Sequence, residues 1–151
     1  MQEVEARNYY VIDGKLALPY TYFAGRVGST FLTTLRDRKQ ILGTRCNNCN
    51  MVFVPPRQTC ERCLEDTRYN WVEVSDTGEV VNFTIVREAD KHLPKPVPYI
   101  LGLIRLDGAD TPMAHIIEGI EPDQMTEGLR VKAVFADESP STILEIDHFE
   151  P

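Results

Sequence analysis

The spacing of apolar residues along the chain changes character near residue 69. Val27, Phe31, Leu35 and Leu42 follow one another at intervals of four, four and seven, which is the stripe of one helix face. A helix is therefore expected after Pro19, with Gly43 at its end. Before it, residues 8–18 set Asp13-Gly14 between two short apolar runs, the chemistry of a two-residue hairpin turn. So short a hairpin must rest on its own domain or on a partner. From Tyr69 onward, short runs rich in Val, Ile, Phe and Tyr occupy 70–74, 79–87, 99–106, 113–118, 130–135 and 142–149, separated by turn residues such as Thr77-Gly78, Asp107-Gly108 and Ser139-Pro140. Five or six strands in about 80 residues suggest a small closed barrel. Residues 121–128, ending in Gly128, read as a short helical turn of the kind an OB-type barrel inserts between its third and fourth strands.

Between helix and barrel lies a different pattern. Met51-Val52-Phe53-Val54 reads as a strand that Pro55-Pro56 stops. Flanking it are all four cysteines of the chain, as Cys46-Asn47-Asn48-Cys49 and Cys60-Glu61-Arg62-Cys63. Two residues between cysteines let a tight knuckle aim both sulfurs at one ion, and two knuckles close a tetrahedron of thiolates. Cys46, Cys49, Cys60 and Cys63 are thus expected to bind a structural Zn2+, with no open position for chemistry at the metal. Two alternatives use the same residues: a pair of disulfides, or a single iron that would make the chain an electron carrier. No basic start followed by an apolar run is read at the N-terminus, so a reducing cytoplasmic setting is expected, which disfavours disulfides.

Composition fits one or two small domains: 151 residues, 42% hydrophobic, and no apolar run near membrane-spanning length. Charge is divided unevenly. Ten Lys and Arg face eight Asp and Glu in residues 1–75, against six and fifteen in 76–151, giving +2 and −9. Residues 26–68 alone carry +4, so an anion would be drawn to the helix and ribbon end. Arg36 falls opposite the apolar stripe, while Arg38 falls inside it and must snorkel or meet an anion. The connection 89–98 holds Pro94, Pro96 and Pro98 beside Lys91, His92 and Lys95, a stiff extended basic loop outside the sheet.

With helix, ribbon and barrel in this order, the chain resembles the acyl-CoA-associated OB-fold proteins with a rubredoxin-like zinc ribbon, catalogued as domain of unknown function 35. The resemblance covers nearly the whole sequence. It is carried by Leu18-Pro19-Tyr20-Thr21-Tyr22 before Ala24-Gly25, by Ile41-Leu42-Gly43 leading into Cys46, and by Phe53-Val54-Pro55-Pro56-Arg57 leading into Cys60 and Cys63. The run from Gly78 to Val86, Pro98-Tyr99-Ile100, and the run from Leu103 to Gly108 add to it. The resemblance implies a mainly β chain with an N-terminal helical segment, in which a zinc ribbon precedes an OB-fold barrel. Expected segments are 1–43 for hairpin and helix, 44–68 for the ribbon and 69–151 for the barrel. It further implies a non-catalytic subunit that assists a thiolase-like enzyme, a hydroxymethylglutaryl-CoA synthase or another acyl-CoA enzyme, and helps enclose the CoA chain.

No catalytic constellation is read from the residues. His92, His115 and His148 are scattered, and His115, between Ala114 and Ile116, reads as a core or edge histidine. The run from Ala24 to Thr30 lacks the Gly-Lys-Ser/Thr ending of a phosphate loop and reads as a helix entry. If CoA binds, its phosphates need a few cations. Arg36, Arg38, Lys39, Arg45 and Arg57 of the helix and ribbon are candidates, with Lys91 and the loop to Lys95 as a further contact. Single-stranded nucleic-acid binding is the rival function, since zinc ribbons and OB barrels both serve it elsewhere. The −9 of the barrel half opposes it, because a polyanion would have to track along that surface.

Overall fold

A computed structural model describes residues 20–91, 93–140 and 142–151. The expected hairpin at Asp13-Gly14 and the side chain of His92 lie outside the described residues. The helix, α1, runs Gly25–Arg38 and buries Val27, Phe31 and Leu35, the first three members of the predicted stripe. It ends five residues before Gly43. Lys39 takes a left-handed backbone (φ 54°) and its N–H closes on Leu35 O at 3.1 Å. That places Leu42 and Gly43 on a strand instead.

Three strands follow: β1 (Ile41–Arg45), β2 (Val52–Phe53) and β3 (Trp71–Val74), in the order β2-β1-β3. Gly43 is required in β1 because a Cβ there would lie 2.8 Å from Phe53 O. The stretch 70–74, read among the barrel strands, is β3, and it pairs with β1 from Ile41↔Val74 to Thr44↔Trp71.

The remaining strands close on themselves: β4 (Thr77–Val86), β5 (Tyr99–Leu106), β6 (Met113–Ile117), β7 (Arg130–Phe135) and β8 (Ile146–Glu150). Their order is β4-β5-β6-β8-β7, with β4 returning to β7 and β6 running parallel to β8, the five-stranded barrel of an OB-fold. Two sequence expectations are corrected here. Residues 121–128 form hydrogen-bonded turns without a helix (Gln124 N–H to Glu121 O, 3.0 Å). Gly128 N–H and Val80 O bond at 2.8 Å, and Met125 is buried in the core. That bond to β4 takes the Gly128 N–H, which a helix over this segment would aim at Gln124 O. The run 142–149 is not one strand. A short 3-10 turn at Ile143–Glu145, started by Thr142 Oγ1 accepting from Leu144 N–H, precedes β8 and turns Glu145 into the interior.

One apolar core joins the parts. Phe31 and Leu35 of α1, Ile41, Val52 and Val74 of the three-stranded sheet, and Val80, Ile104, Leu106, Ile117 and Phe149 of the barrel belong to a single cluster. Thus segments 1–43, 44–68 and 69–151 are not packed as independent bodies in the described residues. A polar clasp adds direction to that contact. Asp110 Oδ2 accepts from Val52 N–H at 2.7 Å, and Thr111 Oγ1 accepts from Val54 N–H at 2.9 Å and donates to Val54 O at 3.1 Å. The β5–β6 turn therefore grips β2 by its backbone.

Candidate metal centre and the basic face beside it

The two cysteine pairs fold into near-copies of one turn. In each, the first cysteine's N–H bonds a carbonyl five residues on: Cys46 to Met51 O at 2.8 Å and Cys60 to Glu65 O at 2.9 Å. In each, the residue after the second cysteine is left-handed, Asn50 at φ 56° and Leu64 at φ 62°. Asparagine tolerates that region, whereas leucine is strained in it. Thr44 Oγ1 holds the second knuckle against the first. It accepts from Arg57 N–H and donates to Arg57 O, both at 2.9 Å, while Thr67 Oγ1 donates to the same carbonyl. Phe53 is fully buried in one cluster with Cys46 and Cys60.

This framework brings one sulfur from each cysteine within 4.8 Å of the other three, with no disulfide between them. Cys46 Sγ and Cys63 Sγ are 3.5 Å apart, close to the roughly 3.8 Å edge that a tetrahedron of thiolates at about 2.3 Å from an ion requires. The Cys49 N–H points at Cys46 Sγ at 3.3 Å, the backbone donation that a thiolate favours. Acidities are driven apart within the cluster. Cys63 is lowered to about 6, first by the Asn48 side chain and then by the Glu65 amide. Cys49 is pushed up to about 12, first by its hydrogen bond with Cys63 and then by burial. For Cys46 the Cys49 amide favours the thiolate, but burial and the neighbouring sulfurs outweigh it and raise the group. Four thiolates at this spacing need a cation among them, so the donor set fits a single closed metal ion.

The basic residues expected to meet an anion do not converge. Arg36 pairs with Asp37 at 2.7 Å, Lys39 Nζ with Glu145 at 3.2 Å and with Ala136 O at 3.2 Å, and Arg57 with Glu61 while lying over the Phe53 ring at 5.4 Å. Arg45 bonds Asn50 Oδ1 at 3.3 Å. Lys91 is exposed on the β4–β5 connection, away from the helix in the chain, and Lys95 of the same loop is held by Glu118 (2.5 Å) and Asp147 (3.3 Å). Although burial opposes it, those two carboxylates raise the Lys95 ammonium. Arg38 is exposed and lines an open groove of about 360 Å³ between α1 and the sheet.

That groove and its neighbour contain residues the sequence reading passed over. A second hollow of about 200 Å³ is walled by Arg26, Arg68, Tyr69 and Trp71, and it shares Thr30 and Trp71 with the first. Trp71 opens β3, and Tyr69 lies in the turn just before it, where the Asn70 N–H bonds Thr67 O at 3.1 Å. Both aromatics are visible in the sequence, but not the helix across from them. Tyr69 is 74% exposed, and Tyr20, Tyr22 and Phe23 ahead of α1 are 76–78% exposed, as is Leu64 on the second knuckle.

The histidines form no catalytic pair with a nucleophile among the described residues. His115 is buried, as expected for a core histidine. Its Nδ1 accepts from Ile116 N–H at 2.9 Å, its ring meets Phe149 edge-on, and burial lowers its pKa. His148 Nδ1 lies 2.7 Å from Asp147 Oδ2, within a ring of carboxylates.

A tetracysteine knuckle pair set into a three-stranded sheet, followed by a closed five-stranded barrel, defines a zinc-ribbon and OB-fold protein. Family models agree over most of the described chain: the rubredoxin-like zinc ribbon domain of ChsH2 matches residues 34–67, and the C-terminal OB-fold domain of ChsH2 matches residues 71–136. A DUF35 domain-containing scaffold protein of Methanocaldococcus jannaschii is 30% identical over 101 residues, spanning 67% of this chain and 71% of that one. Another from Pyrococcus furiosus is 27% identical over 110 residues, spanning 70% and 76%. The chain belongs to the DUF35 family. Among solved structures, a DUF35-family protein of unknown function from Sulfolobus solfataricus superposes with a TM-score of 0.58 at 27% identity, covering 73% of this chain and 78% of that one. A chain of the Ltp2-ChsH2(DUF35) aldolase shares the fold, with a TM-score of 0.61 at 22% identity over 82% and 92% of the two chains.

Proposed function

We propose that this protein is a non-catalytic scaffold subunit that docks an acyl-CoA-using enzyme, thiolase-like or a hydroxymethylglutaryl-CoA synthase, and helps hold the CoA ester. A structural Zn2+ on Cys46, Cys49, Cys60 and Cys63 would fix the ribbon, and a reducing cytoplasm would keep the thiols available for it. The observation that carries the scaffold reading is the set of large apolar side chains left in water: Tyr20, Tyr22 and Phe23 ahead of α1, Leu64 on the second knuckle and Tyr69 before β3. Aromatic side chains exposed at this density are what an interface buries and what a lone soluble domain avoids. Relatives that bear the name scaffold protein, and one that forms an aldolase with Ltp2, support the same reading.

Of the cations expected for CoA, Arg36, Lys39 and Arg57 already hold carboxylates, which leaves Arg38 and Lys91 as the stronger candidates. The test is co-purification of the untagged protein from its source, followed by Tyr22→Ala with Phe23→Ala. The expected result is an acyl-CoA enzyme recovered with the parent chain, and its loss from the double variant with zinc content unchanged. Thioester turnover by the pure chain alone, abolished by His115→Ala, would overturn the non-catalytic reading.

A further inference from the structure

The groove between α1 and β3 has a composition that its packing does not require. Arg26, Thr30, Thr33, Thr34 and Asp37 recur at i, i+4, i+7, i+8 and i+11, the spacing of a single helix face. Three threonines in that stripe are poor helix formers, and a solvated helix face would be better served by Ala, Glu or Lys. Opposite them the floor is aromatic. Trp71 borders both hollows, Tyr69 stands beside it, and the Arg68 guanidinium lies 5.6 Å from the Tyr69 ring centre.

Charge along the groove is of one sign where it is not already matched. Arg68 is committed to Asp66, with Nε to Oδ2 at 2.8 Å, and Asp37 is committed to Arg36 at 2.7 Å. Arg26 and Arg38 have no ion pair among the described residues and stand at opposite ends. Twelve residues of helix separate their Cα atoms by roughly 18 Å. A bare phosphate cannot bridge that span, whereas an extended ligand with a flat ring and anionic groups can.

We propose that this groove binds a purine nucleotide phosphate. The ring lies against Trp71 and Tyr69 beside Arg26, and the phosphates run past Thr30 and Thr34 toward Arg38. Stacking on an indole and a phenol ring supplies the affinity for a flat heterocycle, and the guanidiniums supply charge-assisted donors to phosphate. Assigning that nucleotide to the adenosine end of CoA rests on the function proposed above. Of the basic residues named in the sequence it keeps Arg38 alone and adds Arg26, with Trp71 as the platform.

Trp71 is the single tryptophan of the chain, so its fluorescence reads the groove directly. The zinc-loaded full chain is titrated with CoA, adenosine 3′,5′-bisphosphate, pantetheine and inorganic phosphate, and heat is recorded in parallel. Expected is saturable quenching of Trp71 by CoA and by the bisphosphate, none by pantetheine or phosphate, and about tenfold weaker binding for Arg26→Ala and for Arg38→Ala. Both side chains are exposed, so the variants should keep their zinc and their melting temperature. CoA that binds calorimetrically without touching Trp71 fluorescence, and with equal affinity in both variants, overturns the groove while sparing the CoA reading. The bisphosphate binding while intact CoA does not, alone or with the partner enzyme, upholds the groove and sinks the CoA assignment. No binding by any nucleotide overturns the inference outright. A single-stranded oligonucleotide that binds more tightly than CoA at physiological salt, with a steep salt slope, overturns it in favour of a nucleic-acid surface.

Discussion

Lys39 and Glu145, 106 residues apart, meet as an ion pair of 3.2 Å that ties the end of the helix to the last turn before the final barrel strand. The carboxylate is buried, and its second oxygen accepts from Ser139 Oγ. The ammonium is partly exposed and also donates to Ala136 O, so one lysine holds both sides of the β7–β8 connection. Lys39 can reach only because its left-handed backbone ends the helix and turns the chain toward β1.

Removing the ammonium leaves a buried carboxylate short of a donor. Lys39→Ala is expected to destabilise the protein by about 1–3 kcal/mol, and Glu145→Gln by less, because an amide still bonds the serine and demands no counter-charge. A double-mutant cycle in denaturant melts should return a coupling energy of about 1 kcal/mol or more. Additive losses would show that the contact is incidental.

The metal should hold the knuckles and not the whole ribbon. Structural zinc contributes on the order of 10–16 kcal/mol to folding of small ribbons that lack a core, but here β1 and β2 share the barrel's core and the Asp110 and Thr111 clasp. Chelation, or Cys49→Ser, is expected to raise amide exchange at residues 46–51 and 60–65 while the β1 and β3 amides stay protected. Metal analysis should return one zinc per chain. A red iron-thiolate spectrum in protein from its native source would reject zinc.

Leu64 combines an exposed apolar side chain with a left-handed backbone, at the position where the first knuckle uses Asn50. Leu64→Asn should stabilise the protein by a few tenths to about 1 kcal/mol, since backbone strain is relieved and little packing is lost. If the leucine is kept for a partner, the same variant should melt higher and yet capture less of the acyl-CoA enzyme. Higher melting with undiminished capture would remove Leu64 from the interface.

Acid should weaken the barrel rim in a defined window. Arg130, and then Thr77, hold the Asp107 carboxyl at about 2, well below its ordinary value near 4. A depressed carboxylate stabilises the fold above its unfolded pKa and loses that contribution as pH falls through its folded one. The melting temperatures of the parent and Asp107→Asn should therefore differ above about pH 4, converge between about pH 4 and 2, and coincide below. A gap that persists unchanged at pH 2 would rule this out.

Much of this architecture is local chemistry and was legible as such. Two short cysteine spacings with an intervening strand specify a metal knuckle pair because only nearby backbone is needed to aim the sulfurs. The spacing of four placed α1, and runs rich in Val, Ile, Phe and Tyr between turn residues placed all the barrel strands, to within a few residues. The misplacements share one cause. Leu42 fits a helical stripe by spacing, residues 121–128 fit a helical turn by composition, and 142–149 fit a strand. In each case backbone bonds went to a partner outside the segment: β1 to β3, the 121–128 segment to Val80, and Glu145 O to the Ala136 N–H.

The sequence by itself determined the two cysteine knuckles, the positions of the barrel strands and the separation of charge, since each depends on residue type and near spacing. Only the tertiary structure decided which cations are still available. Arg36, Lys39 and Arg57 look alike in the sequence to Arg26 and Arg38, but carboxylates from their own neighbours or from across the fold neutralise the first three. An ion pair is set by proximity in space. The groove that leaves Arg26 and Arg38 facing one tryptophan exists only once the helix has been laid against the sheet.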